Sequence, residues 1–184
     1  MNHFCRGLSE AGHTFEIGDL YAMGFQPMMD ERQYGREVGL NPNAPVPDDV
    51  QNEQEKVDHA DGLAFIFPLW WSDMPARMKG WFDRVWTFGY AYLYDDAEVR
   101  HTRICIQEAV VITSAGHSAS HLEETGVADA MRKIVIQDRL LGVGVQRAHL
   151  EILGGMMPGV LTFRDLNLNR AHRLGIEFGA GRNK

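Results

Sequence analysis

The chain has little cysteine: Cys5 and Cys105 are its only two, and they stand far apart. No disulfide framework or zinc spacing can be built from them, so they read as reduced thiols, with Cys105 a packing residue rather than a nucleophile. A block of lysine and arginine is also missing. Eighteen basic residues against 25 acidic ones leave a net charge of −7, which excludes a nucleic-acid binder held by phosphate neutralisation. The longest apolar run, residues 63–71, falls short of the roughly 20 residues that a membrane helix needs. Residues 1–8 carry no apolar core of a signal peptide. The reading is therefore a cytoplasmic protein without membrane insertion. Repeats and low-complexity tracts are absent as well. What remains is 184 residues that are 45% hydrophobic, enough for one domain, residues 1–184, with a real core and too few for two of ordinary size.

The chain is organised around residues 60–92, ADGLAFIFPLWWSDMPARMKGWFDRVWTFGYAY. Residues 62–67 are mostly apolar with no polar alternation, as in a strand covered on both faces of a parallel sheet. Pro68 ends the strand, and Leu69, Trp70, Trp71, Ser72 and Asp73 form a loop at its carboxyl end. Pro75 then sits early in a helix, where a missing N–H costs little. Met74, Met78, Trp81, Phe82 and Val85 recur at helical spacing and mark the face that packs back on the sheet. Gly80 lies inside that helix, where glycine costs about 1 kcal/mol relative to alanine. Close approach of another backbone is the reason expected for it. Two adjacent tryptophans are costly to leave wet, so the pair reads as site wall, core or subunit interface.

The rest of the chain alternates helix and strand, which gives an α/β sheet with helices on both faces. Residues 1–11 read as a helix ended by Gly12. Residues 13–20 alternate Phe15 and Ile17 and read as a short strand. Residues 34–49 contain prolines 42, 45 and 47 and read as a long surface loop. Residues 48–60 form a helix with Val50, Val57 and Ala60 inward and Glu53, Gln54, Glu55 and Lys56 mostly outward. Residues 93–103 are polar and irregular. Glu108–Ser114 is a buried strand, residues 115–124 the loop after it and residues 122–141 a helix. Arg147–Leu153 is the last strand, residues 164–178 a terminal helix, and residues 179–184 a frayed end.

Strand-end loops of such sheets are where ligands bind, and one resemblance gives this pair of loops a chemistry. Pro68, Leu69, Trp71, Pro75, Ala76, Lys79, Gly80, Trp81, Asp83, Arg84, Val85, Ala91 and Tyr92 match, at fixed spacing, a PL-x-W-x-x-x-PA-x-x-KGW-x-[DE]RV segment that leads to a GFAY-like turn. The stretch resembles the flavodoxin-like NAD(P)H:quinone oxidoreductases, and AGHTFEIGDLYAMGFQP resembles their second strand and the loop after it. The resemblance implies a flavodoxin-like parallel sheet and a homodimer. It implies a flavin, FAD rather than FMN, reduced by NAD(P)H and reoxidised by a quinone in a two-electron ping-pong cycle. Pro68, Leu69, Trp70, Trp71 and Ser72 would contact one side of the flavin, and Thr113, Ser114, Ala115 and Gly116, standing for the family's T-T-G-G, the other. Trp71 would also wall the nicotinamide and quinone position, and Tyr90 and Tyr92 would reach the substrate.

Two departures accompany the resemblance. Residues 115–127 contain no tyrosine where the family uses one to balance the proton of hydride transfer. His121 falls at that position and His117 is close by; histidine titrates near neutral pH and can stabilise the same developing anion. The second departure is that the family's central first strand and phosphate-cradling loop have no counterpart before the helix that Gly12 ends. The expectation is an amino-terminally incomplete sequence, with the strands at 13–20 and 62–67 deprived of the neighbour between them, and poor flavin affinity as a result. No metal ligands are assigned. A metal held by His117, His121 and Glu124 is a competing reading, as is a non-catalytic redox-sensing subunit of the kind resembled by ancillary proteins of potassium efflux systems. Arg77, Lys79 and Arg84 read as a solvated helix face.

Overall fold

The computed structural model describes residues 1–157 and 162–180; residues 181–184 of the expected frayed end lie outside them. Helices α1 (Asn2–Glu10), α2 (Glu31–Val38) and α3 (Asp48–Asp58) precede strand β1 (Gly62–Pro68), which helix α4 (Ala76–Val85) follows. A two-residue ribbon, β2 (Leu93–Tyr94) and β3 (Arg100–His101), leads to β4 (Glu108–Ser114). After it come α5 (Ala119–Glu124), α6 (Val127–Met131), a π-helix (Arg132–Leu140) and a 3-10 turn (Leu141–Val143). Strand β5 (Arg147–Leu153) and helix α7 (Arg164–Glu177) complete the described chain.

The main sheet is parallel, in the order β1-β4-β5, with β4 central. Successive side chains of a strand point to opposite faces, and the alternation assigns each face its cover. Val110 and Ile112 of β4 pack with Phe4, Leu8, Leu174 and Phe178 of the terminal helices. Ala109 and Val111 face the larger core with Phe65, Phe67, Trp81, Phe82, Val135 and Leu140. Helices α1 and α7 meet closely enough that a Cβ on Gly7 would lie 2.1 Å from the His172 carbonyl oxygen, and one on Gly175 would lie 2.2 Å from that of Phe4. Gly80 has the expected reason for its place: a Cβ there would stand 2.3 Å from the Pro27 carbonyl oxygen.

Several expectations are corrected. Residues 13–19 form no strand; they pair with no ladder among the described residues, and Phe15 and Ile17 stay 44% and 47% exposed. Among the described residues strand β1 pairs on one side only, with β4. The expected loop at 34–49 begins as helix, because Asp30 caps α2 by accepting from the Gln33 amide at 2.7 Å. Glu53 points inward, with Oε2 accepting from Trp81 Nε1 at 2.7 Å and Oε1 from Lys56 at 2.6 Å. The single helix expected over 122–141 breaks at Gly126 and continues as a π-helix. Arg84 is no solvated residue: its guanidinium is buried, bidentate on Asp49 at 2.6 and 2.9 Å, and bonded to Gln33 Oε1 at 2.9 Å. Cys105 is exposed rather than packed.

Candidate active site

Parallel pairing in register brings three loops to one rim. Pro68 stands opposite Ser114, and Ser114 opposite Leu153, so the segments after β1, β4 and β5 leave the sheet side by side. Backbone bonds tie them together: Leu69 donates to the Ser114 carbonyl at 2.8 Å, Ala115 to that of Leu153 at 3.0 Å, and Met156 to that of Ala115 at 2.9 Å. The turn carrying Trp71 and the turn carrying Gly116 therefore lie on the same rim. A cleft of about 260 Å³ opens there on the α1/α7 face, lined by His3, Ile66, Pro68, Ser114, Leu153 and Met156 among others. A larger, acidic groove of about 560 Å³ between residues 16–25 and α3 touches no strand of the sheet, whereas the smaller cleft reaches the strand ends at Pro68, Ser114 and Leu153. The smaller cleft is the better candidate, since it sits at the strand ends where this architecture binds ligands.

The first loop has an unusual backbone. Trp70 and Asp73 exchange both main-chain hydrogen bonds, at 2.9 and 3.1 Å. Trp71 and Ser72 between them have φ of 50° and 63°, the signature of a type I′ turn, which ordinarily takes Asn-Gly. Holding two side-chain-bearing residues there costs about 1–2 kcal/mol each. The strain presents Trp71 fully to solvent, with Trp70 56% exposed, so neither tryptophan belongs to the core. The N–H groups of Trp71 and Ser72 make no hydrogen bond among the described residues.

In the second loop, Thr113 is fully buried and its hydroxyl has no hydrogen-bond partner among the described residues. Ala115 is buried, whereas Gly116 is exposed with its N–H unengaged among those residues. Ser118 caps α5, accepting from the His121 amide at 3.2 Å. His117 and His121 are exposed and stack with ring centroids 4.6 Å apart. Among the described residues no cluster of three or more His, Cys, Asp or Glu side chains is arranged to hold a metal.

The two tyrosines part company. Tyr90, expected at the cleft, is a core residue, 3% exposed. Its hydroxyl donates to Asp58 Oδ1 at 2.8 Å and lies 3.1 Å from the Gln54 carbonyl oxygen. Burial first, and then the Asp58 carboxylate, push its pKa far above the ordinary phenol value. Tyr92 is half-buried, with the Phe88 ring at 5.6 Å and the Arg100 guanidinium 5.8 Å from its ring centroid; burial and the Glu37 carboxylate raise its pKa. The turn that bears both is pinned by α2. Arg36 donates to the Phe88 carbonyl at 3.0 Å, and Glu37 accepts from the Phe88 amide at 2.8 Å. The sequence reading missed this clamp, whose two charged residues lie in a segment read as loop.

Comparison with known proteins follows the same lines. Residues 1–161 match the family described as flavodoxin-like fold. A solved NAD(P)H:quinone oxidoreductase from Methanothermobacter marburgensis is 54% identical, with a TM-score of 0.91 over 96% of this chain and 86% of that one. NAD(P)H dehydrogenase (quinone) 1 of Cavia porcellus is 33% identical over 145 residues, 70% of this chain and 51% of the relative. An uncharacterized NAD(P)H oxidoreductase of Haemophilus influenzae is 29% identical over 145 residues, 79% of this chain and 69% of the relative. The chain thus spans about half the length of the first of these curated relatives.

Proposed function

The chain belongs to the family of the flavodoxin-like fold, and from that premise we propose that it is a flavin-dependent NAD(P)H:quinone oxidoreductase. The observation that carries the proposal is the meeting of the Trp71 and Gly116 turns at one rim of the sheet, in a chain 54% identical to a solved quinone oxidoreductase. In this reading the chain works as a single cytoplasmic domain, assembled as a homodimer, with FAD as its flavin.

The residues present fit a flat redox ring. Two turns offer N–H groups at Trp71, Ser72 and Gly116 that make no hydrogen bond among the described residues, and the buried Thr113 hydroxyl has no partner among them. Gly116 carries no side chain to hold a ring off the backbone. The flavin, when bound, supplies the two-electron carrier between NAD(P)H and a quinone. Pro68, Leu69, Trp70, Trp71 and Ser72 would grip one side of it and Thr113, Ser114, Ala115 and Gly116 the other. Fixed N–H dipoles aimed at a ring that gains negative charge on reduction favour that reduction. Trp71 offers a whole indole face to the nicotinamide and then to the quinone, which take turns in one place. Tyr92, which packs against Phe88, Tyr94 and Arg100 rather than against either rim turn, would border that place only from the second subunit of a dimer. His121 holds the compensating proton, with His117 stacked on it.

The exposed tryptophans also support a dimer, since a fully wet indole on a strained turn suits a surface that a second subunit covers. The test is anaerobic addition of NADPH to the chain saturated with FAD. Bleaching of the flavin absorbance, reversed by a quinone, is expected; flavin that stays oxidised under excess NADH and NADPH refutes the proposal.

A further inference from the structure

The strained turn at residues 70–73 poses a question that the cofactor reading does not answer: what holds it. Asp73 Oδ1 accepts from the Met74 amide at 2.7 Å, which fixes the carboxylate at the turn's exit. Facing it is Arg139, 66 residues further along the chain, on the π-helix Arg132–Leu140. Its Nη1 lies 3.9 Å from Asp73 Oδ1 and 3.6 Å from Met74 Sδ, and its guanidinium carbon lies 5.9 Å from the centroid of the Phe82 ring. The carbonyl of Arg139 accepts from Trp86 Nε1 at 2.8 Å. Main chain and side chain of this one residue thus join the π-helix to α4 and to the turn.

The arrangement makes little sense as a source of stability. The Arg139 side chain is 16% exposed, so a cation has been largely taken out of water, yet the anion it faces is 48% exposed and at the outer limit of an ion pair. Desolvation at that level is poorly offset by one long contact, a weak sulfur acceptor and a ring face. Position is what such an arrangement secures. π-Helical segments are rare, widen the helix and occur often at functional sites; here the segment directs a planar, permanently charged group at the exit of the turn that displays Trp71.

We propose that Arg139 is a positioning residue of the site: it locks the Trp70–Asp73 turn in its left-handed backbone, and so fixes the indole of Trp71 and the N–H groups of Trp71 and Ser72 at the rim. Its kinetic consequence rests on the quinone reductase reading; its structural consequence does not.

The test separates the two. The full chain is labelled with 5-fluorotryptophan, its four resonances are assigned with single Trp→Phe variants, and spectra are recorded without cofactor. Arg139→Met should shift or broaden the Trp70 and Trp71 resonances and leave Trp81 in place, and Arg139→Lys should restore most of the native spectrum. In the quinone assay, Arg139→Met should raise the quinone KM about tenfold with kcat changed far less, the pattern of a lost contact that held ground state and transition state alike. Native Trp70 and Trp71 resonances in a folded Arg139→Met chain overturn the proposal, and so does an equal disturbance of Trp81. If Arg139→Met does not fold, Asp73→Asn removes the facing charge at a half-exposed site. Altered Trp70 and Trp71 resonances then support the proposal, and an unchanged spectrum overturns it. A chain without quinone reductase activity whose turn resonances still respond refutes the functional reading and leaves the positioning role standing.

Discussion

Replacing Gly80 by alanine adds one methyl group, and the structure fixes the sign of its effect. In a helix the change should help by about 1 kcal/mol, because glycine carries the larger backbone entropy. At this position the new Cβ would lie 2.3 Å from the Pro27 carbonyl oxygen and 2.5 Å from the Pro27 Cα and Cβ. Carbon atoms in ordinary contact sit about 3.5–4 Å apart, so α4 or the segment at Pro27 has to retreat by roughly 1 Å. Two backbones cannot relax as a flexible side chain would, which puts the overpacking penalty at the upper end of the usual range, about 3 kcal/mol. Subtracting the helix gain leaves a net loss of about 2 kcal/mol, a fall of roughly 1 M in the urea midpoint for a slope near 2 kcal/mol per M. Gly35, in α2, is the internal control. A Cβ there meets nothing within 4 Å, so Gly35→Ala should gain about 0.5–1 kcal/mol. Urea unfolding of both variants beside the parent decides the matter. A Gly80→Ala midpoint equal to or above the parent's refutes the packing argument, and equal losses in both variants reduce it to a general dislike of alanine.

Other outcomes follow from single residues. Glu53→Ala leaves the buried Trp81 indole N–H without the acceptor it has at 2.7 Å and should cost about 1–3 kcal/mol in the same assay. Arg84→Met strips Gln33 Oε1 and Asp49 of a buried cation and should cost about 3 kcal/mol. Tyr90 has a folded pKa raised above its ordinary value of 10.0, first by burial and then by Asp58. Its contribution is therefore fully present below pH 10.0 and is lost as pH rises further, because the unfolded phenol releases its proton first. Unfolding followed above that pH should show a stability loss that is smaller in Tyr90→Phe. His121→Ala should lower kcat at least about tenfold with little change in melting temperature, a modest share of the usual acid–base contribution; unaltered turnover removes His121 from the proton step.

Most of what builds the rim was legible in the residues. The strands Glu108–Ser114 and Arg147–Leu153 have the bounds read from the residues, the first from a buried apolar run and the second from alternation of polar and apolar side chains. Gly80 was legible from its misfit with helix preference, and Pro68 and Pro75 bracketed the loop. What stayed hidden depends on partners distant in sequence. Phe15 and Ile17 alternate as a strand should, yet a strand exists only where a neighbour supplies the ladder, and none pairs with them among the described residues. Glu53 looked like a surface residue because its indole partner stands 28 positions away. Tyr90 looked like a substrate contact until Asp58 and Gln54 claimed its hydroxyl. Helix α2 was masked by the prolines after it, although Asp30 carried a cap signal. A Trp-Ser type I′ turn runs against local preference, so nothing in those two residues announces it.

The central claim is that a flat redox ring rests between the Trp71 turn and the Gly116 turn, and a crystal structure of the chain grown with FAD tests it most directly. The account predicts the isoalloxazine at the rim where β1, β4 and β5 end, touching Leu69–Ser72 on one side and Thr113–Gly116 on the other. An isoalloxazine seated elsewhere, for instance in the acidic groove between Glu16 and α3, would contradict it.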